Sequence, residues 1–194
     1  MSIHVKLFPE MSKFKDQSGA VPLHWATVNK RAEPAAVNIL INSYPAGCLS
    51  KDEFGFIPLH WALLRDDPDL GIIKLLIKAN PASINMAAND GSLPIHTFLK
   101  KKNPSLDIIS TLVIASAASL QQKDNEGMIP IHHYCNRENH NMEILRYLLD
   151  NYTKCTMRVD NRKRTALHIA VDQANPSEGN LISVLNIYIY IYIY

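Results

Sequence analysis

Five histidines recur at one interval: His24, His60, His96, His132 and His168 are each 36 residues apart. An imidazole can serve as general base, proton shuttle or metal ligand. Side chains set one per unit along a stack cannot converge on one ion, which needs its ligand atoms within about 2.0–2.3 Å. A histidine present once per unit is a building part, expected to bond backbone in the adjacent turn. His4, His133 and His140 stand outside the series. In "HHYCNRENH", His133, Cys135 and His140 could be imagined on zinc, but the spacing fits no finger and a fourth ligand is missing, so loop and helix-surface positions are expected. No Gly-x-Ser-x-Gly, Walker-type loop or His-Glu-x-x-His occurs. The ionisable residues are either repeat parts or scattered. No catalytic, cofactor or metal site is therefore expected, and the chain reads as a non-enzyme.

The elements that position these residues follow from the repeat. "VPLHWA", "IPLHWA", "LPIHTF", "IPIHHY" and "TALHIA" place Pro22, Pro58, Pro94, Pro130 and Ala166 in one slot, without insertion or deletion. Gly19, Gly55, Gly91 and Gly127 stand three residues before it, with Lys163 breaking the series. Asp16, Asp52, Asp124 and Asp160 stand three residues earlier still, with Ala88 the exception. Asp bonds nearby backbone and Gly accepts positive φ, so each pair predicts a tight turn. Proline pre-sets φ at a first helical position, so a short helix starts in each slot. A longer helix follows: Ile72, Ile73, Leu76 and Ile77, then Ile108, Ile109, Leu112 and Val113, then Ile144, Leu145, Leu148 and Leu149 share one face. Pro45 and Pro81 stand where that helix must end. Helices this short are marginal alone, so stacking must bury their apolar faces in one core. Trp25 and Trp61, in the short helix, are expected to fill space between units rather than to form a ligand cage.

These motifs carry a resemblance. "DEFGFIPLHWAL" is similar to the ankyrin Asp-x-x-Gly-x-Thr-Pro-Leu-His-x-Ala signature, and "GIIKLLI" resembles that family's second helix. The resemblance implies an all-α, ankyrin-type helix-turn-helix solenoid with short β-turn fingers. Units fall near 14–49, 50–85, 86–121, 122–157 and 158–186, after a partial repeat over 1–13 and before a low-complexity tail over 187–194. The period is 36 where the family's is about 33. The family's Thr before Pro, which caps the helix and pairs with the His, survives only as Thr165; Val21, Ile57, Leu93 and Ile129 replace it. Each lost cap costs about 0.5–2 kcal/mol.

In ankyrin proteins, partners dock on turn tips and on the exposed side of the first helix. Matching positions here are Glu53, Phe54, Phe56, Leu64, Arg65, Asn89, Asp90, Lys100, Lys101, Asn125, Glu126, Met128 and Arg137. Exposed aromatics can anchor an interface, and Phe54 and Phe56 flank a glycine on a turn. With Lys100, Lys101, Lys102, Arg65 and Arg137, they suggest a patch that is apolar toward unit two and basic toward units three and four, suited to an acidic protein segment. The expected function is a non-enzymatic protein–protein interaction module, read as a fragment of a larger repeat protein. The alternative is an adaptor or targeting segment of a multidomain protein.

Composition sets the outer bounds. Hydrophobic residues make up 47% of 194, which argues against disorder. A net charge of +2 argues against nucleic acid as partner, despite "KKK" and "NRKR". Three cysteines form no disulfide framework, and with no leader-like start they point to a reducing, intracellular and cytoplasmic setting. No run approaches the roughly 20 apolar residues of a membrane span. Pro9 shares the register of Pro45, so the chain reads as beginning inside a repeat. The final "IYIYIYIY" is what an alternating AT dinucleotide encodes, and it reads as translated simple-sequence DNA; as peptide it would be β-prone.

Overall fold

The computed structural model describes residues 9–31, 33–137 and 140–173. Expectations about the first eight residues, the fifth longer helix and the Ile-Tyr tail lie outside the described residues. Nine α-helices and five 3-10 turns occur among them, and no β-strand.

Each unit opens with a turn and a short helix: α1 (Pro22–Val28), α3 (Pro58–Leu64), α5 (Pro94–Leu99), α7 (Pro130–Cys135) and α9 (Ala166–Gln173). The longer helices are α2 (Pro34–Ser43), α4 (Leu70–Ala79), α6 (Leu106–Ala115) and α8 (Met142–Asn151). Proline opens α1, α3, α5 and α7, as the missing N–H and fixed φ dictate. Asp69 caps α4 by accepting from Ile72 N–H at 3.0 Å, and Asn141 caps α8 by accepting from Glu143 N–H at 2.8 Å. Pro45 and Pro81 do more than stop a helix. Each opens a 3-10 turn, Pro45–Leu49 and Pro81–Asn85, and the same turn recurs without proline at Ala117–Gln121 and Thr153–Met157. These turns press Cys48, Ile84, Leu120 and Cys155 into the core.

Short helices stack on short helices (α1 on α3, α5, α7 and α9 in order), and α2, α4 and α6 stack likewise. The apolar faces merge into one cluster running from Val21 to Ala170. Each fully buried Leu or Ile contributes roughly 1.5–3 kcal/mol, so packing between units outweighs what any helix supplies alone.

Candidate partner-binding surface

The turns are rigid because every unit ties its own backbone and then its neighbour's. Asp52 Oδ1 accepts from Phe54 N–H at 2.9 Å and from Phe56 N–H at 2.8 Å; Asp16, Asp124 and Asp160 do the same in their units. Gly19, Gly55, Gly91 and Gly127 all take φ between 76° and 79°, and Lys163 is forced to 63° in the same slot. Unit three has Ala88 in place of Asp. There Asp90 substitutes in part, accepting from Ser92 N–H and Ser92 Oγ–H, each at 2.9 Å.

Adjacent turns are then bonded to each other. Glu53 N–H donates to Ser18 O, Asn89 N–H to Phe54 O, Asn125 N–H to Asp90 O, and Asn161 N–H to Glu126 O, at 2.8–3.0 Å. Side chains add two further ladders. Asn89, Asn125 and Asn161 each donate Nδ2–H to the carbonyl 36 residues earlier, at Glu53, Asn89 and Asn125. Lys15, Lys51 and Lys123 each donate from Nζ to the carbonyl 36 residues later, at Lys51, Ala87 and Val159. The lysine ladder was missed on reading the sequence, although its 36-residue spacing was a visible signal.

The recurring histidines complete the frame. His24, His60, His96 and His132 accept from the N–H of Val21, Ile57, Leu93 and Ile129 through Nδ1, at 3.0–3.3 Å. Nε2 is then the protonated nitrogen, and it donates across the joint to Phe56 O, Ser92 O, Gln122 O and Arg158 O. The imidazole thus keeps half of the cap that the absent threonine would have completed. In unit five, Thr165 Oγ restores the other half, lying 2.7 Å from His168 Nδ1. Burial favours the neutral ring: it lowers His24 and His132 from their usual value and brings His60 and His96 down to about 4.

The remaining candidate chemistry is also absorbed. His133 and Cys135 are buried, not on a loop or helix surface as expected. His133 bonds Asp124 at 2.6 Å, and Cys135 and Cys155 are pushed by burial to about 12, so neither is a ready thiolate. Among the described residues, no three of His, Cys, Asp and Glu are grouped to hold a metal ion. Trp25 and Trp61 meet edge to face at 5.2 Å and donate their indole N–H to Asp16 and Asp52. Trp61 is half-buried filler as expected, whereas Trp25 is 54% exposed.

The thirteen candidate surface positions separate into two groups. Met128 is a correction: it is 5% exposed, because the position after the turn glycine points inward, as it does at Ala20 and Ser92. Phe56 stacks on His60 at 5.2 Å, so it supports the turn. Asn89 and Asn125 spend their amides on the ladder. Lys101 and Arg137 are not a solvated basic face: Lys101 donates to Arg65 O and Arg137 to Leu99 O at 3.1 Å, each closing the end of the preceding short helix. Half-buried Arg65 supplies the carbonyl in the first of these bonds. Asp90 receives Ser92 and, at 3.4 Å, Lys100. What remains open is Glu53, Phe54 (62% exposed), Leu64 (46% exposed) and Glu126, with Lys100 exposed but held by Asp90 and Ser92, and with Trp25 added by the structure.

A family model described as ankyrin repeats, in three copies, matches residues 98–185, and a model described as an ankyrin repeat matches residues 54–89. Together they cover more than half of the chain. No curated protein matches it. Among the described residues, no helix is long and apolar enough to cross a membrane.

Proposed function

Because the chain belongs to the ankyrin repeat family, whose members are generally protein–protein interaction modules and typically non-enzymatic, we propose that it is a non-enzymatic scaffold that captures a protein partner on the turn side of its first three units. The observation that supports this placement is Phe54, 62% exposed on a turn whose polar backbone is bonded on both sides. A fixed aromatic loses little conformational entropy on binding, which is how anchor residues contribute most. Leu64 and Trp25 extend the apolar side, and Lys100 and Lys102 supply positive charge beside it. The partner segment is accordingly apolar with acidic residues at one end. Asp66 and Asp67 act on Lys101, and Asp90 pairs with Lys100 at 3.4 Å, so the basic character rests chiefly on exposed Lys102. Partner capture by the intact chain, compared with a Phe54→Ala/Lys102→Glu variant, tests the reading. Loss of the captured protein with unchanged thermal stability is the expected result; undiminished capture overturns the placement.

A further inference from the structure

Each longer helix from α2 to α8 is followed by a 3-10 turn, and the fourth copy departs from the others in charge. At its second position the turns hold Ala46, Ala82, Ala118 and then Lys154. At its last position Leu49, Asn85 and Gln121 give way to Met157, and just beyond it Ser50, Met86 and Gln122 give way to Arg158. The finger that follows changes in the same sense: Arg162 and Lys163 stand where the preceding tip has Glu126 and Gly127. Over residues 150–164 five cations face two carboxylates, a net of +3, in a chain whose whole net charge is +2.

These side chains are open. Lys154, Arg158, Arg162 and Lys163 are all exposed, and among the described residues none of the four has an ion-pair partner. Asp160 does not neutralise them: it is 3% exposed and committed to Arg162 N–H, Arg164 N–H and the Arg164 guanidinium. The other carboxylates along this stretch are Asp150 and, on the preceding tip, Glu126. Met157 is 80% exposed, between Lys154 and Arg158. These three side chains, with Gln121, Asp150 and Tyr152, line a cleft of about 780 Å³, within the range of small-ligand sites. Tyr152 Oη accepts from Arg158 Nε at 2.9 Å and holds the guanidinium in the cleft wall. Lys163 keeps its charge at φ 63°, in a slot that glycine fills in the four other turns, and strain of this kind gathers at functional sites.

We propose that this strip is a peripheral docking site for an anionic bilayer, with Met157 entering the interfacial layer, a lipid headgroup phosphate between Lys154 and Arg158, and Arg162 and Lys163 against neighbouring headgroups. Arg162 lies four residues past Arg158, within about 14 Å by chain reach, so the cations form one strip. A protruding apolar side chain flanked by cations suits a charged interface with apolar material beneath it. An acidic polypeptide offers Met157 no such layer. A nucleic acid calls for open ring faces on which bases stack, whereas Tyr152 is half-buried and spends its hydroxyl on Arg158. The surface is distinct from the partner face proposed for the first three units.

Sedimentation of the full chain with vesicles tests this. Neutral phosphatidylcholine vesicles are compared with vesicles carrying about one third phosphatidylserine. Retention is expected on the anionic vesicles alone, and should fall as salt is raised from about 0.1 M to about 0.5 M. Lys154→Ala and Lys163→Gly should each weaken the partition about fivefold. Met157→Ser should weaken it by about the same factor at unchanged charge. Lys163→Gly restores the residue of the other turns, so its loss of binding cannot be put down to misfolding. Equal retention on neutral vesicles overturns the proposal, as does undiminished retention of any of the three variants. Retention on polyuridylate with none on anionic vesicles overturns it too, and assigns the strip to nucleic acid.

Discussion

Lys163 holds φ at 63°, in a slot where four glycines take 76–79°. An L-residue held there is destabilised by roughly 1–2 kcal/mol. Lys163→Gly should raise stability by about 0.5–1 kcal/mol after the entropy of glycine is allowed for, read from thermal or denaturant unfolding. The reverse substitution one unit earlier, a side chain in place of glycine, is destabilising. A Cβ on Gly127 would lie 2.3 Å from Asn161 Oδ1, so Gly127→Ala should cost about 2–4 kcal/mol. The histidines add a pH dependence. Folded His60 and His96 sit at about 4, below the ordinary 6.5, so the unfolded chain binds more protons between those values. Stability is therefore full above about pH 6.5 and declines toward about pH 4, by on the order of 3 kcal/mol for each ring, as equilibrium unfolding across that range should show. The histidines' structural role was legible in the sequence, because a residue repeated once per unit cannot serve a single site. The fate of Asn89 and Asn125 was not. Both occupy turn tips, and only the placement of the preceding turn shows that their amides are already engaged.

The helix pairs were legible from period and proline, and the short 3-10 turns after the longer helices were not. Pro45 and Pro81 marked an ending, but Ala117 and Thr153 begin the same turn with no proline to mark it. What fixes those turns is burial of Cys48, Ile84, Leu120 and Cys155, a tertiary effect. The basic cluster failed as a surface prediction for a related reason. A lysine or arginine just past a short helix can turn back onto the free carbonyls of the neighbouring helix end, and Lys101 and Arg137 do so. The lysine ladder offers a test at this scale. Ala87→Lys should let an ammonium reach the Lys123 carbonyl and supply the absent rung, raising stability by about 0.5 kcal/mol in equilibrium unfolding. No gain would mean that the ladder is incidental to cohesion.

Across the whole molecule, the stack is one core with many nearest-neighbour contacts. Leu63 is fully buried in α3, between α1 and α5, and Leu63→Ala should cost about 2–5 kcal/mol. Because units couple to their neighbours, hydrogen exchange should show the loss in units one to three before it reaches unit five. The asparagine and lysine bonds also have a consequence for rearranging the chain. Each of these six rungs joins positions separated by one full period, one set reaching back and the other forward. Excising a whole 36-residue segment would therefore splice like onto like, each donor meeting the carbonyl its counterpart had met. A cut one residue longer or shorter would put the rungs that span it out of step, so whole periods are the lengths by which the chain grows or shrinks with every rung kept.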